Sequence, residues 1–174
     1  MIGFYVFIAI VVSQRAYELM IANKNAQLLK REGGYEVGAE HYKYIVALHV
    51  LFFIALISEV TITRPSFASW VILPFFAFLL AQIGRIWVIS SLGKYWNTRI
   101  IVVPGANVVN TGPYRYFRHP NYAIVMTEIV MLPLMFQAYW TALTFTVLNA
   151  LLLSYRIKVE EQALKEVTNY NEVF

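Results

Sequence analysis

The sequence predicts an all-α integral membrane bundle of about five transmembrane helices, the last two forming a helical hairpin, and three observations predict it. Hydrophobic residues make up 59% of the 174 positions and charged residues only 14%, the reverse of the balance in a soluble domain. Four long apolar blocks follow one another, at residues 2–20, 44–62, 67–92 and 122–155. The basic residues gather between these blocks on every second connection.

A span needs about 20 residues at a rise of about 1.5 Å each, so each of the first three blocks makes one helix. The first has neither a basic leader nor a small-residue cleavage site and is expected to stay as an anchor. The fourth is too long for one crossing. It is expected to fold back near residues 136–139 into two helices of about 16 residues each, short enough to tilt little. Pro120 suits the first turn of the fourth helix, and Pro133 falls near the fold-back, where a missing N–H is tolerable. Residues 1–174 read as one domain, without repeat or low-complexity linker.

Several chemistries are excluded at this level. Without cysteine there is no disulfide, thiolate-bound haem, iron–sulfur cluster or cysteine nucleophile. His41, His49 and His119 are too few and scattered for a metal site. Both His41 and His49 read as packing residues, and Trp70, Trp87, Trp96 and Trp140 as interfacial anchors. The net charge of +4 describes a basic membrane rim, not a nucleic-acid footprint.

Orientation follows from that rim. Lys24, Lys30, Arg31 and Lys43 lie in the first connection, Lys94, Arg99, Arg115 and Arg118 in the third, and Arg156, Lys158 and Lys165 in the tail, against Arg64 alone on the other side. With five spans the basic regions share one face, which the positive-inside bias makes cytoplasmic in a multi-pass cell-membrane protein with its N-terminus outside.

Residues 112–122, Gly-Pro-Tyr-Arg-Tyr-Phe-Arg-His-Pro-Asn-Tyr, set two arginines, a histidine and three tyrosines at the mouth of the fourth helix. A helix start already offers unpaired N–H groups and a positive dipole end, so such a cluster suits an anionic ligand group. Some 40 residues on come Arg156-Ile157 and the pair Glu160-Glu161. Arg156 and Glu160 are four apart and share one helical face. Taken together, Gly112-Pro113-Tyr114, Arg118-His119-Pro120-Asn121-Tyr122, Arg156-Ile157, Glu160-Glu161 and Leu164 resemble the isoprenylcysteine carboxyl methyltransferase family and its bacterial relatives. Gln14-Arg15, Glu18, Asn25, Gly33-Gly34, Glu36-Val37-Gly38 and His41-Tyr42 are similar to the N-terminal half of the bacterial branch. Two departures stand out. Ile124 occupies a position where the family commonly has glycine, and Glu166 to Tyr170 barely keep its Phe-Gly and Tyr-rich tail, so the end of the chain is expected to be truncated or disordered.

The resemblance implies S-adenosylmethionine as methyl donor, held by about residues 93–122 and 153–166. Positions matching Tyr114, His119, Pro120, Asn121, Tyr122 and Glu160 contact the cofactor in the family, and Arg118 is carried with them. Ala106, Asn107, Val108, Val109 and Arg99 align with further cofactor contacts, and the position matching Arg156 holds the acceptor carboxylate. The residue chemistry agrees. The helix start at His119 to Tyr122 suits a carboxylate, Glu160 can accept from an ammonium or ribose hydroxyl, and Tyr114 and Tyr122 offer aromatic faces.

Methyl transfer to a carboxylate requires no strong base, because the acceptor is already ionised near neutrality; for a phenol or enol, Glu161 or Glu128 is the candidate base. The acceptor implied is lipophilic, either a prenylated cysteine or a long-chain phenolic or pyrone lipid, with membrane lipids as the other partners. Alternatives are a phospholipid or amine N-methyltransferase, a nicotinamide-dependent lipid reductase, and a non-enzymatic scaffold or transporter. Finally, Arg15, Glu18, Arg85 and Glu128 fall at one depth inside the apolar blocks. Ionisable groups there cost about 2.5–3.5 kcal/mol each at the bilayer centre unless paired. Either they snorkel separately or, as expected here, they face inward and line or brace the floor of the acceptor cavity.

Overall fold

The computed structural model describes residues 1–66 and 68–174. Its helices are α1 (Ile2–Arg31), α2 (Ala39–Thr63), α3 (Ile72–Leu92), α4 (Pro120–Met135), α5 (Tyr139–Val167) and the short α6 (Tyr170–Val173). Between them lie two three-residue strands, β1 (Tyr35–Val37) and β2 (Ile100–Val102). The stretches Ile2–Arg31, Ala39–Thr63, Ser69–Tyr95 and Tyr139–Val167 are long and apolar enough to cross a membrane, and α4 is a shorter apolar helix. The chain is therefore a multi-pass, all-α membrane bundle.

Its apolar residues point both ways. Phe4, Ile8 and Val11 of α1 pack with Leu48, Phe52, Leu56 and Val60 of α2, Phe78 of α3, Ile129 and Leu132 of α4 and Phe145 of α5. Meanwhile Leu80, Ile83, Ile86 and Leu151 are each more than 60% exposed. A surface this apolar is stable only against lipid.

The α4–α5 hairpin turns where the sequence places it. The N–H groups of Phe136 and Ala138 both donate to the Pro133 carbonyl, at 3.0 and 2.9 Å, and Gln137 takes a left-handed φ of 55°. On the far side of the turn, the Glu59 carboxylate of α2 accepts from the Trp140 and Thr141 amides (3.0 and 2.7 Å) and from the Thr141 hydroxyl (2.6 Å). It thereby satisfies free donors at the positive end of α5.

The helix lengths differ from expectation at the basic end. α5 is 29 residues long, nearly twice the expected arm, because it continues past the apolar run to carry Arg156, Glu160 and Glu161. α1 likewise runs on to Arg31, with Lys30 and Arg31 in its last turn, where cations complement the helix dipole. Phe67, the expected start of the third span, lies outside the described residues; α3 begins at Ile72 after a single 3-10 turn, Ser69–Val71.

The strands were not anticipated. β1 and β2 pair antiparallel with Tyr35 opposite Val102, Glu36 opposite Ile101 and Val37 opposite Ile100. The connection from α1 into β1 is tight: a Cβ on Gly34 would lie 2.7 Å from the Leu29 carbonyl oxygen. Glu36 is held by Lys30 (3.0 Å) and Arg99 (3.3 Å). Burial pushes its carboxyl up, and these two cations outweigh it, leaving the group below its ordinary value.

Arg15, Glu18, Arg85 and Glu128 do face inward, and they form one network across α1, α3 and α4. Arg15 meets Glu18 at 2.7 Å and Glu128 at 3.2 Å, while Arg85 bridges Glu18 at 3.3 Å and grips Glu128 through both Nε and Nη2. Gln14 and Gln82 complete the set, Gln82 donating to Glu128 at 2.6 Å. Two cations meet two anions, so the cluster is neutral and internally satisfied, which is the condition for tolerating charge at this depth.

Candidate active site

The connection from α3 to α4 carries most of the site, and the N-terminal half of the molecule holds it in place. Asn25 of α1 donates to the Trp96 and Gly93 carbonyls at 2.7 and 3.1 Å, and Asn97 returns a bond to the Ala22 carbonyl at 3.1 Å. Tyr42 of α2 shares a hydrogen bond with Thr98 at 3.2 Å and lies under the Arg99 guanidinium at 5.1 Å. Trp96 is not the interfacial anchor expected from composition. Only 2% exposed, it packs with Ala22, Val88 and Tyr114, whereas Trp70, Trp87 and Trp140 are well exposed.

Gly112 opens the motif in a left-handed conformation, φ 58°, and a Cβ there would stand 2.1 Å from the Ser91 hydroxyl. Only glycine allows this approach of the loop to α3. A turn of 3-10 helix, Gly112–Arg115, then buries Tyr114. His119 occupies the N-cap of α4 and Pro120 its first turn; no side chain caps that end. The positive end of α4 is thus left for something else to satisfy.

A groove opens between this loop, β2 and the end of α5. Of the residues expected to bind cofactor, Arg99, Ala106, Asn107, Val108 and Val109 line it from the loop before the motif. Tyr114, Arg118, His119, Asn121 and Tyr122 line it from the motif itself, and Glu160 with Arg156 from α5. Pro120 shapes the helix start without lining the groove. Three residues at the heart of the site are coupled. The Tyr122 hydroxyl donates to Glu160 and accepts from Arg156 Nε at 2.8 Å, and Arg156 Nη2 reaches the Thr98 carbonyl at 2.7 Å. Arg156 is 6% exposed.

Three residues of the groove wall also carry unmet hydrogen-bonding capacity. Trp96 Nε1, Arg99 Nε and Asn121 Oδ1 are buried without a partner among the described residues, and all three residues line it. An unsatisfied buried polar group costs about 1–3 kcal/mol, so three in one groove favour a polar ligand that completes them. Burial, then the Glu160 charge, push the Tyr114 phenol well above its usual value, keeping it a neutral donor.

The remaining expected residues stand elsewhere. Arg15, Glu18, Arg85 and Glu128 meet one another in the bundle and do not line the groove. Glu128 accepts from Arg85, Arg15 and Gln82, which occupies the lone pairs a base would use. Glu161 is turned to His119 Nε2 (2.9 Å), the Tyr170 hydroxyl (3.1 Å) and Lys165 (3.5 Å), away from the groove lining.

The end of the chain is where the sequence reading missed most. Expected to be truncated or disordered, residues 168–174 instead lie against the groove and carry α6 (Tyr170–Val173): Tyr170 is 3% exposed, and Thr168, Tyr170 and Phe174 line the wall. The signal available was the aromatic pair Tyr170 and Phe174 itself, which contacts at 5.3 Å. Among the described residues no group of three or more His, Asp or Glu side chains is placed to hold a metal.

The profile of the isoprenylcysteine carboxyl methyltransferase family matches residues 70–166, from the start of the third span through Glu160 and Glu161. The protein entitled "Uncharacterized protein YpbQ" of Bacillus subtilis strain 168 is 47% identical over 163 residues, covering 94% of this chain and 97% of its own. An uncharacterized protein of Haemophilus influenzae strain Rd is 29% identical over 160 residues, 91% and 93% of the two chains. No solved structure matches significantly.

Proposed function

The chain belongs to the isoprenylcysteine carboxyl methyltransferase family, a family of membrane methyltransferases, and on that premise we propose that it transfers a methyl group from S-adenosylmethionine to an oxygen of a lipophilic acceptor. The observation that carries this reading is the groove, which gathers the expected cofactor residues of two distant segments together with three unpartnered buried polar atoms. When bound, the donor supplies a methyl group on a positively charged sulfur.

The chain's own residues divide the remaining work. The open start of α4, with Arg118 and His119, suits the donor carboxylate. Glu160 accepts from an ammonium or ribose hydroxyl, held toward the groove by the Tyr122 hydroxyl. Trp96 Nε1 and Asn121 Oδ1 offer a donor and an acceptor for the rest of the nucleoside. Arg156 spends two nitrogens on Tyr122 and Thr98, which fixes its plane and leaves Nη1 for the acceptor anion. Catalysis is then chiefly positioning, a term of about 7–11 kcal/mol in a dry, aligned site.

A carboxylate acceptor calls for no base. The phenol or enol class of acceptor would call for a base, and neither Glu128 nor Glu161 has lone pairs free in the groove. Arg15, Glu18, Arg85 and Glu128 brace the helices beneath it. On the positive-inside argument the groove lies on the cytoplasmic side of the cell membrane, with the N-terminus outside.

The test is to incubate membranes containing the protein with methyl-labelled S-adenosylmethionine and lipid extracts, then identify the product. A labelled lipophilic ester or ether is expected, dependent on Arg156. Label on a phospholipid amine would replace this reading with N-methylation.

A further inference from the structure

Glu161 sits one residue from Glu160 yet points elsewhere, and the geometry around it is a relay ending at the groove. The Tyr170 hydroxyl donates to Glu161 Oε1 at 3.1 Å, and the same oxygen lies 2.9 Å from His119 Nε2. Lys165 approaches the other oxygen at 3.5 Å. The imidazole stacks on the Tyr122 ring, centroids 5.5 Å apart at 27°, so packing fixes its plane while Glu161 fixes its rotation. A carboxylate has no proton to give here, and burial, then the Glu161 charge, push the Tyr170 phenol up to about 12. The bond between the pair therefore runs from Nε2–H to Glu161, and in the uncharged form of the ring that leaves Nδ1 as the unprotonated nitrogen.

We propose that Glu161 and Tyr170 are positioning residues that hold His119 as its Nε2–H tautomer, so that Nδ1 serves the donor groove as a hydrogen-bond acceptor. The groove is otherwise rich in donors: the start of α4, Arg99, Arg118 and Arg156 all line it, against Glu160 and Asn121 Oδ1 as acceptors. A ligand carrying an ammonium beside a carboxylate requires both kinds, and a histidine free to change tautomer would supply the acceptor only part of the time. Tyr170 lies beyond the matched stretch 70–166. Its neighbours hold two more groove residues from the same side, Asn169 accepting from the Val108 amide at 2.8 Å and the Phe174 carbonyl accepting from Arg118 at 2.7 Å.

The inference rests on the donor-binding reading above, and two measurements separate them. Nitrogen NMR of the detergent-solubilised protein with labelled histidine reads the protonation of both ring nitrogens without any ligand. Wild type should show His119 protonated on Nε2. Glu161→Gln, which keeps an acceptor oxygen, should preserve that signature; Glu161→Ala should mix the tautomers, and Tyr170→Phe should do so partially. Lys158→Ala, which removes an exposed charge of α5 outside the relay, should change nothing. Calorimetry with adenosylhomocysteine should then show affinity several-fold weaker for Glu161→Ala and close to wild type for Glu161→Gln. A tautomer unchanged in Glu161→Ala, or an affinity unchanged while the tautomer mixes, overturns the positioning role. Absence of adenosylhomocysteine binding by wild type overturns the donor reading, while the tautomer measurement still decides whether Glu161 sets His119.

Discussion

Arg156 and Arg85 show how two buried guanidiniums in one small bundle take different work from their partners. Arg85 is met by Glu18 and Glu128, a closed and neutral set. Arg156 is met directly by a phenol and a carbonyl, with Glu160 reached only through the Tyr122 hydroxyl. Removing one member of a buried ion network costs about 3–5 kcal/mol, so Arg85→Ala should lower the thermal midpoint in detergent sharply, and Arg85→Ala with Glu128→Ala less than the sum. A midpoint within a degree or two of wild type for the single variant would show that water reaches the cluster. Arg156→Ala should instead depress turnover while leaving adenosylhomocysteine affinity nearly intact, because it removes an interaction with one substrate only. Equal loss of both would assign Arg156 to the donor.

At the scale of elements, the ends of α1, α4 and α5 are tied by contacts that join distant parts of the sequence. Glu59 on α2 stands in for the cap that Ala138 cannot provide to α5, and Glu59→Ala should cost about 0.5–2 kcal/mol of stability. The strand pair is similarly tied through Glu36. Its carboxyl lies below the ordinary range, so the stabilisation it gives is complete above that range and is lost as pH falls through the lowered value. The difference in melting temperature between wild type and Glu36→Gln should thus be seen near neutrality and shrink as the pH falls below the ordinary carboxylate range. A gap that widens in acid would contradict the pairing.

These same contacts explain what the sequence could and could not say. Pro120 and Pro133 punctuate the chain locally, and the hairpin turn after Pro133 fell where expected. Three-residue strands carry too little alternation to register, and Trp96 reads as an anchor because its burial depends on Ala22 and Val88, far away in sequence. Glu161 and Tyr170 read as a candidate base and part of a fading tail, since only the fold brings them to His119. The inward set on α1, α3 and α4 was legible from depth alone, because the bilayer leaves unpaired charge few options.

For the whole molecule, the basic loops, the groove and the ends of α1 and α5 share one end of the bundle, while Arg64 and the α4–α5 turn mark the other. The protein has no cysteine, so introduced thiols report on sidedness without background. A membrane-impermeant reagent should label Lys94→Cys only from the cytoplasmic face and Trp140→Cys only from outside, both positions being exposed. Labelling of both from one side would contradict the five-span arrangement.

The central claim is that one groove, built from the loop before α4 and the far end of α5, binds the methyl donor. Calorimetric titration of adenosylhomocysteine into the full-length protein, alongside His119→Ala and Glu160→Ala, tests it most directly. The account predicts saturable one-to-one binding to wild type, weakened several-fold by each substitution, with the fold intact by circular dichroism. Unchanged affinity in both variants would contradict it.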